Sequence, residues 1–324
     1  MKNVFRSLIT TNKKHAYLII ANRNFHQLQR LISLLDDSRN DIYILIDKTS
    51  KEARTHLTSK KSGLFILKEI PIYWGSYSQI KAELLLFSNA ALKQYTYYHL
   101  LSGLDLPLTS QNNIHHFFDK HSNCQFVSYS CMSDKLSLSM RKRKHIFQKS
   151  FRISRKNPLY LLFKGIRKIE TKYLEKTTHQ LDDIRFGSNW VTLSDEFVQK
   201  IVKKENIVDV YHQFSHGYLV DELFIPYELK KFKMQNTVYH QDPVHDIEDE
   251  FQGNLRYINW WDGSPLIWTS KNFHELEKAK QAGHFFSRKF DETVDATIID
   301  LVIKELINEN TMKSNIKLKQ TANF

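Results

Sequence analysis

Residues 16–47 read AYLIIANRNFHQLQRLISLLDDSRNDIYILID, and this stretch decides the fold. Ala16 to Ala21 is a short apolar run. Phe25, Leu28, Leu31, Ile32 and Leu35 follow at helical spacing, and Ile42 to Ile46 is a second β-branched and aromatic run that closes on Asp47. Strand, helix and strand in this order predict a parallel α/β unit. In open sheets of that kind, ligands bind beyond the carboxyl ends of the strands. Asn22 and Asp47 fall at those two ends.

The same grammar continues outward. Leu64 to Leu67 reads as a third strand. Tyr73-Trp74-Gly75-Ser76-Tyr77-Ser78 reads as a turn, with Ser78 capping a helix that reaches about Gln94. Tyr97 to Leu101 reads as a fourth strand, and Ser102-Gly103-Leu104-Asp105-Leu106-Pro107 as the turn after it. Phe126 to Tyr129 is a further short strand. Regular structure resumes at Arg185-Phe186-Gly187-Ser188-Asn189-Trp190-Val191-Thr192-Leu193, and Ser194 caps the helix that follows. Asp221-Glu222-Leu223-Phe224-Ile225 opens another helix, and Leu255 to Trp261 is a strand ending in aromatics. The tail after Asn308 is polar and basic and reads as disordered.

Composition narrows the function. The 324 residues are 41% hydrophobic, enough for one large or two small cores. No apolar run approaches the ~20 residues of a membrane span, and the first is too short for a signal-peptide core. The expectation is a cytosolic protein. Cys124 and Cys131 form no C-x-x-C pattern, so neither a metal site nor a disulfide framework is indicated. With nine glycines and no Gly-rich phosphate loop, dinucleotide and P-loop sites are disfavoured.

The net charge of +12 is concentrated in one place. Between Lys135 and Lys176 stand 14 Lys or Arg against two acids, Glu170 and Glu175, so the rest of the chain is close to neutral. Leu159 to Phe163 and Ile166 lie inside this window. Cations interleaved with large apolar residues favour an anionic membrane surface. A solvated insertion is the alternative. Nucleic acid is disfavoured because no binding module of that class is present.

Near the end stands Phe286-Ser287-Arg288-Lys289-Phe290-Asp291, two cations between aromatic residues. Water kept away by the aromatics would let a cation act on a nearby anion at reduced screening. That suits a site holding a diphosphate without a metal. Asp47 is followed by Lys48, so the strand end lacks an Asp-x-Asp pair. The acidic run Asp246 to Glu250 lies in a loop containing His and Pro and reads as solvated surface rather than a metal site.

Taken in order, AYLIIAN, ILID, YWGSYSQIKAEL, YYHLLSGLDLPL, FGSNWVTLS, DELF, LRYINW and HFFSRKFD resemble the core-2/I-branching N-acetylglucosaminyltransferases and the related peptide O-xylosyltransferases. The likeness covers about residues 15–130 and 185–295. It implies an α/β fold of the GT-A glycosyltransferase type, with a mixed, mainly parallel sheet flanked by helices. The expected organisation is one catalytic domain over 1–308, with a nucleotide-binding half at about 15–130, the basic insertion at about 135–180 and an acceptor half at about 185–305. The tail is 309–324. It further implies inverting transfer from a UDP-sugar, with no cofactor and no divalent metal.

Residue by residue, Glu222 matches the family's catalytic glutamate. Its place at a helix start also favours the ionised form, as a general base requires. Lys289 matches the diphosphate-binding lysine, where a fixed cation stabilises the leaving group. Arg288 is its neighbour, although adjacent side chains in a strand point opposite ways. The family's second phosphate-binding arginine has no counterpart, because Pro265-Leu266-Ile267-Trp268 stands in that region. Arg256 or Arg288 is left to replace it, or Lys289 acts with backbone groups alone; Arg256 is otherwise grouped with the acceptor site. Asp47 matches the acid that contacts the nucleoside, and Asn22 is placed to read the uracil. Ser102, Gly103 and Asp105 match the turn lining the sugar site, with a plain turn role open for Asp105. Gly187 and Ser188 match a Gly-Ser pair where backbone approaches ligand. Trp260 matches an acceptor-stacking tryptophan; Trp261 stands next to it, so one of the pair is expected in the core and the other facing ligand.

The family's acid near Phe126 to Tyr129 and its many cysteines have no counterpart here, and a membrane anchor is not expected. The resemblance therefore implies a bacterial member that builds capsule, exopolysaccharide or lipooligosaccharide on a lipid-linked acceptor at the inner face of the plasma membrane. GlcNAc is the foremost donor sugar, with UDP-xylose, UDP-galactose and UDP-galactofuranose open. A degenerate transferase fold that only binds membrane or polysaccharide is the rival, disfavoured by the retention of Glu222 and Lys289.

Overall fold

A computed structural model describes residues 14–131, 158–173 and 185–321. The opening stretch forms β1 (His15–Ala21), α1 (Phe25–Leu35) and β2 (Asn40–Ile46). β3 (Gly63–Ile66), α2 (Ser78–Ala91) and β4 (Tyr97–Ser102) follow, and β5 (Leu106–Pro107) and α3 (Gln111–Lys120) come next. The five-stranded main sheet has the order β3-β2-β1-β4-β7, where β7 is Thr192–Ser194. Its pairs are parallel except the edge pair of β4 with β7.

Both faces of this sheet are covered. Leu18, Ile20, Leu45 and Leu100 pack under α2, whereas Tyr17, Ile19, Ala21, Ile44 and Leu101 pack under α1 and α3. Successive strand residues alternate faces, so a continuously apolar strand is what a sheet buried on both sides requires. This is why the sequence shows unbroken apolar runs rather than alternation.

Beyond the sheet lie β6 (Tyr129–Ser130), α4 (Tyr160–Tyr173), α5 (Asp195–Ile201), α6 (Lys204–Phe214), α7 (Asp221–Lys231) and β8 (Pro243–Val244). β9 (Arg256–Ile258), α8 (Phe273–Gln281), β10 (Phe286–Arg288) and α9 (Ala296–Thr321) complete the chain. A second small sheet, β5-β10-β9, joins the chain end to the turn after β4.

Several local expectations change. Ser78 is the first helical residue, not the cap, and its hydroxyl accepts the Tyr73 N–H at 2.7 Å. Ser194 holds the cap position of α5 but its side chain makes no capping bond. The strand expected at Phe126 to Tyr129 is confined to Tyr129–Ser130, preceded by a bridge from Phe126 to Thr192. The tail is helical to Thr321 rather than irregular. Its Glu309 docks on the start of α3, accepting from Thr109 and Ser110, and pairs with Lys280 at 3.1 Å. Most of the basic window, including Arg141 to Lys144, lies outside the described residues.

Beneath β1 and β4 sits a buried histidine relay. His99 Nε2 meets His15 Nδ1 at 3.0 Å, His99 Nδ1 meets the Thr192 hydroxyl at 2.9 Å, and His115 Nε2 meets Asn40 Oδ1 at 2.8 Å. Burial, reinforced by charged and histidine neighbours, holds His15 and His99 well below the ordinary value and brings His115 down to about 4. These rings are neutral in the fold, so the unfolded chain takes protons first as pH falls. Stability is therefore complete above the unfolded value near 6.5 and declines as pH drops towards 4. Each ring contributes up to about 1.4 kcal/mol per pH unit in that window. Urea midpoints from pH 8 to pH 4.5 are expected to fall below about pH 6.5, and to fall less in His115→Gln measured against its own pH 8 value.

Candidate active site

The register of the main sheet builds the site. Ala21 is opposite Ile46, and Ile20 is opposite both Leu45 and Ser102. The next residues, Asn22, Asp47 and Gly103, thus emerge side by side at the carboxyl ends of β1, β2 and β4. Asp47 N–H donates to Ala21 O at 2.8 Å and Gly103 N–H to Ile20 O at 2.9 Å, extending the ladder past the strands. A Cβ on Gly103 would stand 3.0 Å from the Ala21 methyl, so glycine lets this turn close on β1.

The small sheet delivers the cations. Ser287 pairs with Leu106 in antiparallel register, which sets Arg288 beside Asp105. β10 ends at Arg288, so strand alternation does not govern Lys289, and both side chains line one cleft. The cleft measures about 280 Å³. Asn22, Asp47, Ser102, Gly103, Arg288 and Lys289 all line it, as do Arg23, Trp74, Gln79 and Trp190.

Its electrostatics are those of an anion site. The Arg288 guanidinium stacks 4.5 Å over the Trp190 ring and lies 3.8 Å from Asp105. Lys289 is pulled below the usual lysine value, first by burial and then by Arg23 and Arg288 nearby. Three cations held this close favour an anionic occupant. Asp47 accepts from Thr49 N at 2.8 Å, Thr49 Oγ1 at 2.9 Å and Ile72 N at 3.0 Å, leaving lone pairs for a further donor. Among the described residues, no group of three His, Cys, Asp or Glu is arranged to hold a metal ion.

Other expected residues take different places. Asp105 is 1% exposed and does not line the cleft; it accepts from Ser102 N at 3.0 Å and Ser102 Oγ at 2.5 Å, closing the turn behind Arg288. Arg256 is corrected outright: it is 1% exposed, so it reaches neither acceptor nor phosphate. Its guanidinium donates to Asn254 O at 2.5 Å, Leu100 O at 3.1 Å, Val191 O at 2.7 Å and Thr192 Oγ1 at 3.0 Å, tying the two sheets together. Gly187 is also corrected. A Cβ there would meet Ser128 O at 1.9 Å, so the close approach is to backbone, not to ligand. Its N–H donates to Glu222 O at 2.9 Å, fixing the start of α7. Ser188 Oγ accepts from Trp190 N at 3.2 Å, shaping the loop that presents Trp190.

Glu222 is half-buried in the first turn of α7 and does not line the cleft. The chain just before α7 meets the Trp74 loop, where Leu219 N–H donates to Gly75 O at 2.9 Å and the Trp74 and Tyr218 rings meet edge-on at 6.0 Å. Trp260 is 44% exposed, while Trp261 packs partly buried against the core. Trp260 does not line the cleft. Sequence reasoning passed over Arg23, Trp74, Gln79 and Trp190. Trp74 and Trp190 lay inside the quoted motifs, and a large aromatic beside glycine or serine in a loop was the available signal. Arg23 carried none.

A mainly parallel α/β sheet with a cationic cleft over its strand ends is the frame of a GT-A type glycosyltransferase. The family model for the Core-2/I-Branching enzyme matches residues 15–284, and the chain belongs to that family. Among solved structures, mouse xyloside xylosyltransferase 1 in its apo form aligns over 85% of this chain and 96% of that chain, at 11% identity and a TM-score of 0.32. No curated protein matches the chain.

Proposed function

We propose that this glycosyltransferase moves a sugar, GlcNAc first among the candidates, from a UDP-sugar to a glycan hydroxyl, with inversion and without a divalent metal. The observation that carries the reading is the meeting of Asn22, Asp47, Ser102, Gly103, Arg288 and Lys289 in one cleft. Asn22 and Asp47 face the nucleoside. Lys289 and Arg288 hold the diphosphate and offset the charge that grows on it as the glycosidic bond breaks. Glu222 takes the proton from the acceptor hydroxyl as that oxygen attacks the anomeric carbon. Cations at the cleft support the metal-free reading. UDP release in EDTA over a panel of UDP-sugars tests it. One donor, GlcNAc or else xylose, galactose or galactofuranose, is expected to turn over slowly without acceptor. Turnover restored only by Mn²⁺ or Mg²⁺ would sink the metal-free part.

A second observation concerns location. On α4, Leu162 and Ile169 are 59% and 62% exposed, two turns apart on one face, and Lys164 and Lys168 are exposed on the opposite side of the helix. Such a face suits an anionic lipid surface. Among the described residues, no helix is long and apolar enough to cross a membrane. We therefore propose peripheral attachment at the inner face of the plasma membrane, next to a lipid-linked acceptor in capsule, exopolysaccharide or lipooligosaccharide synthesis. The protein is expected to pellet with anionic vesicles and not with neutral ones. Leu162→Gln with Ile169→Gln should weaken that pelleting, and unchanged pelleting would discard the role of this face.

A further inference from the structure

Arg23 follows Asn22 at the carboxyl end of β1 and lines the cleft with Arg288 and Lys289. Its Nη2 donates to Asp291 Oδ2 at 3.0 Å. Asp291 is itself gripped by Asn24 Nδ2 at 2.7 Å, Thr293 Oγ1 at 2.6 Å and Thr293 N at 3.1 Å. Gln27 strengthens the same clasp, donating from Nε2 to Phe290 O at 3.2 Å and accepting from Glu292 N at 2.9 Å. The end of β1 and the segment after β10 are thereby fastened together, and this fixes Arg23 next to Lys289.

The clasp does not exhaust Arg23. A guanidinium carries five N–H donors in a rigid fork, and the Nε of Arg23 is buried with no hydrogen-bond partner. Arg288 shows the same condition at Nε and Nη1. Buried donors are normally satisfied, so unsatisfied ones on two arginines of one cleft point to an acceptor-rich anion. A phosphoryl group matches the fork and the charge. The stretch where the family places its second arginine cannot help, because Trp268 there is fully buried and stacked on Tyr257 at 5.8 Å.

We infer that Arg23 is a phosphate-binding residue of this site, holding the donor's diphosphate together with Arg288 and Lys289, with Asp291 as its positioning partner. The inference rests on the UDP-sugar reading above. Asp291 absorbs one nitrogen of the fork and orients the rest. The chain thus draws its second phosphate arginine from the end of β1 rather than from the stretch Pro265 to Trp268.

Calorimetric titration of uridine, UMP and UDP in EDTA, with a melting curve for each variant, tests this. Arg23→Gln is expected to weaken UDP by about 10–100-fold, the loss of one charge-assisted phosphate contact, while uridine affinity stays as in the parent. Arg23→Lys keeps the charge and should fall between. Asp291→Asn should weaken UDP more than uridine, because the fork loses its orientation. If Arg23→Gln and Arg23→Lys leave the uridine-to-UDP affinity ratio unchanged, whatever happens to the melting temperature, Arg23 is only a clasp and the inference is overturned. Failure of the parent protein to bind UDP would overturn the donor reading itself, and this inference with it.

Discussion

Glu222→Gln is expected to cut transfer by about 10²–10⁴-fold, the usual contribution of a positioned general base. UDP affinity and melting temperature should stay near those of the parent. The substitution is nearly isosteric, and the anchoring contact runs from Gly187 N–H to the Glu222 backbone carbonyl, which it leaves intact. The residue does not line the donor cleft, so donor binding has no reason to change. It stands in the first turn of α7, where the helix dipole favours an anion. Single-turnover transfer with a fixed donor separates chemistry from binding. Asp221→Asn, measured alongside, tells which acid of the pair is the base. Turnover within a few-fold of the parent in Glu222→Gln, together with a large loss in Asp221→Asn, would move the role one residue back.

Lys289→Ala is expected to behave differently, lowering turnover by about 10²–10³-fold and weakening UDP as well. A fixed cation at a developing oxyanion contributes on that scale. The argument rests on where the ammonium sits. Burial, Arg23 and Arg288 all press the Lys289 pKa down, so its charge is held against its surroundings until an anion arrives. The same pressure has a pH signature. Because the pKa lies below the usual 10.5, turnover should decline with rising pH earlier than an ordinary lysine would dictate. Bound donor should shift that limb upward. Uridine affinity should survive the substitution, since uridine carries no phosphate for the ammonium to hold. Equal losses for uridine and UDP would mean that Lys289 supports the fold rather than the phosphates. The two variants therefore give opposite signatures, chemistry without binding for Glu222 and both together for Lys289.

Much of this was legible in the chain. The runs at 16–21 and 42–46, with a helical spacing between them, stated a parallel unit covered on both faces, because only such strands are apolar at every position. The strand ends followed, and with them Asn22, Asp47, Ser102 and Gly103 as cleft residues. The order of motifs stated the family. Local polar chemistry was less legible. Ser78 reads as a cap but serves as the acceptor for Tyr73 N–H, because a hydroxyl takes whichever neighbouring donor the turn presents.

Long-range partners could not be read at all. Arg256 carries the same letters as a ligand-binding arginine, yet three backbone carbonyls and a hydroxyl converge on it from sequence positions as far as 156 residues away. Glu309 belongs to a polar stretch that reads as a loose tail, until Thr109, Ser110 and Asn113 supply a docking point. Arg23 is 268 residues from Asp291 in sequence and 3.0 Å from it in space.

The sequence by itself determined the α/β class, the family and the residues at the strand ends, because periodicity and local order are written in neighbouring letters. Tertiary structure alone decided which cations share a cleft, which carboxylates stand behind them and which arginine is buried. Those outcomes depend on register between distant strands and on desolvation, and neither exists until the sheets have packed.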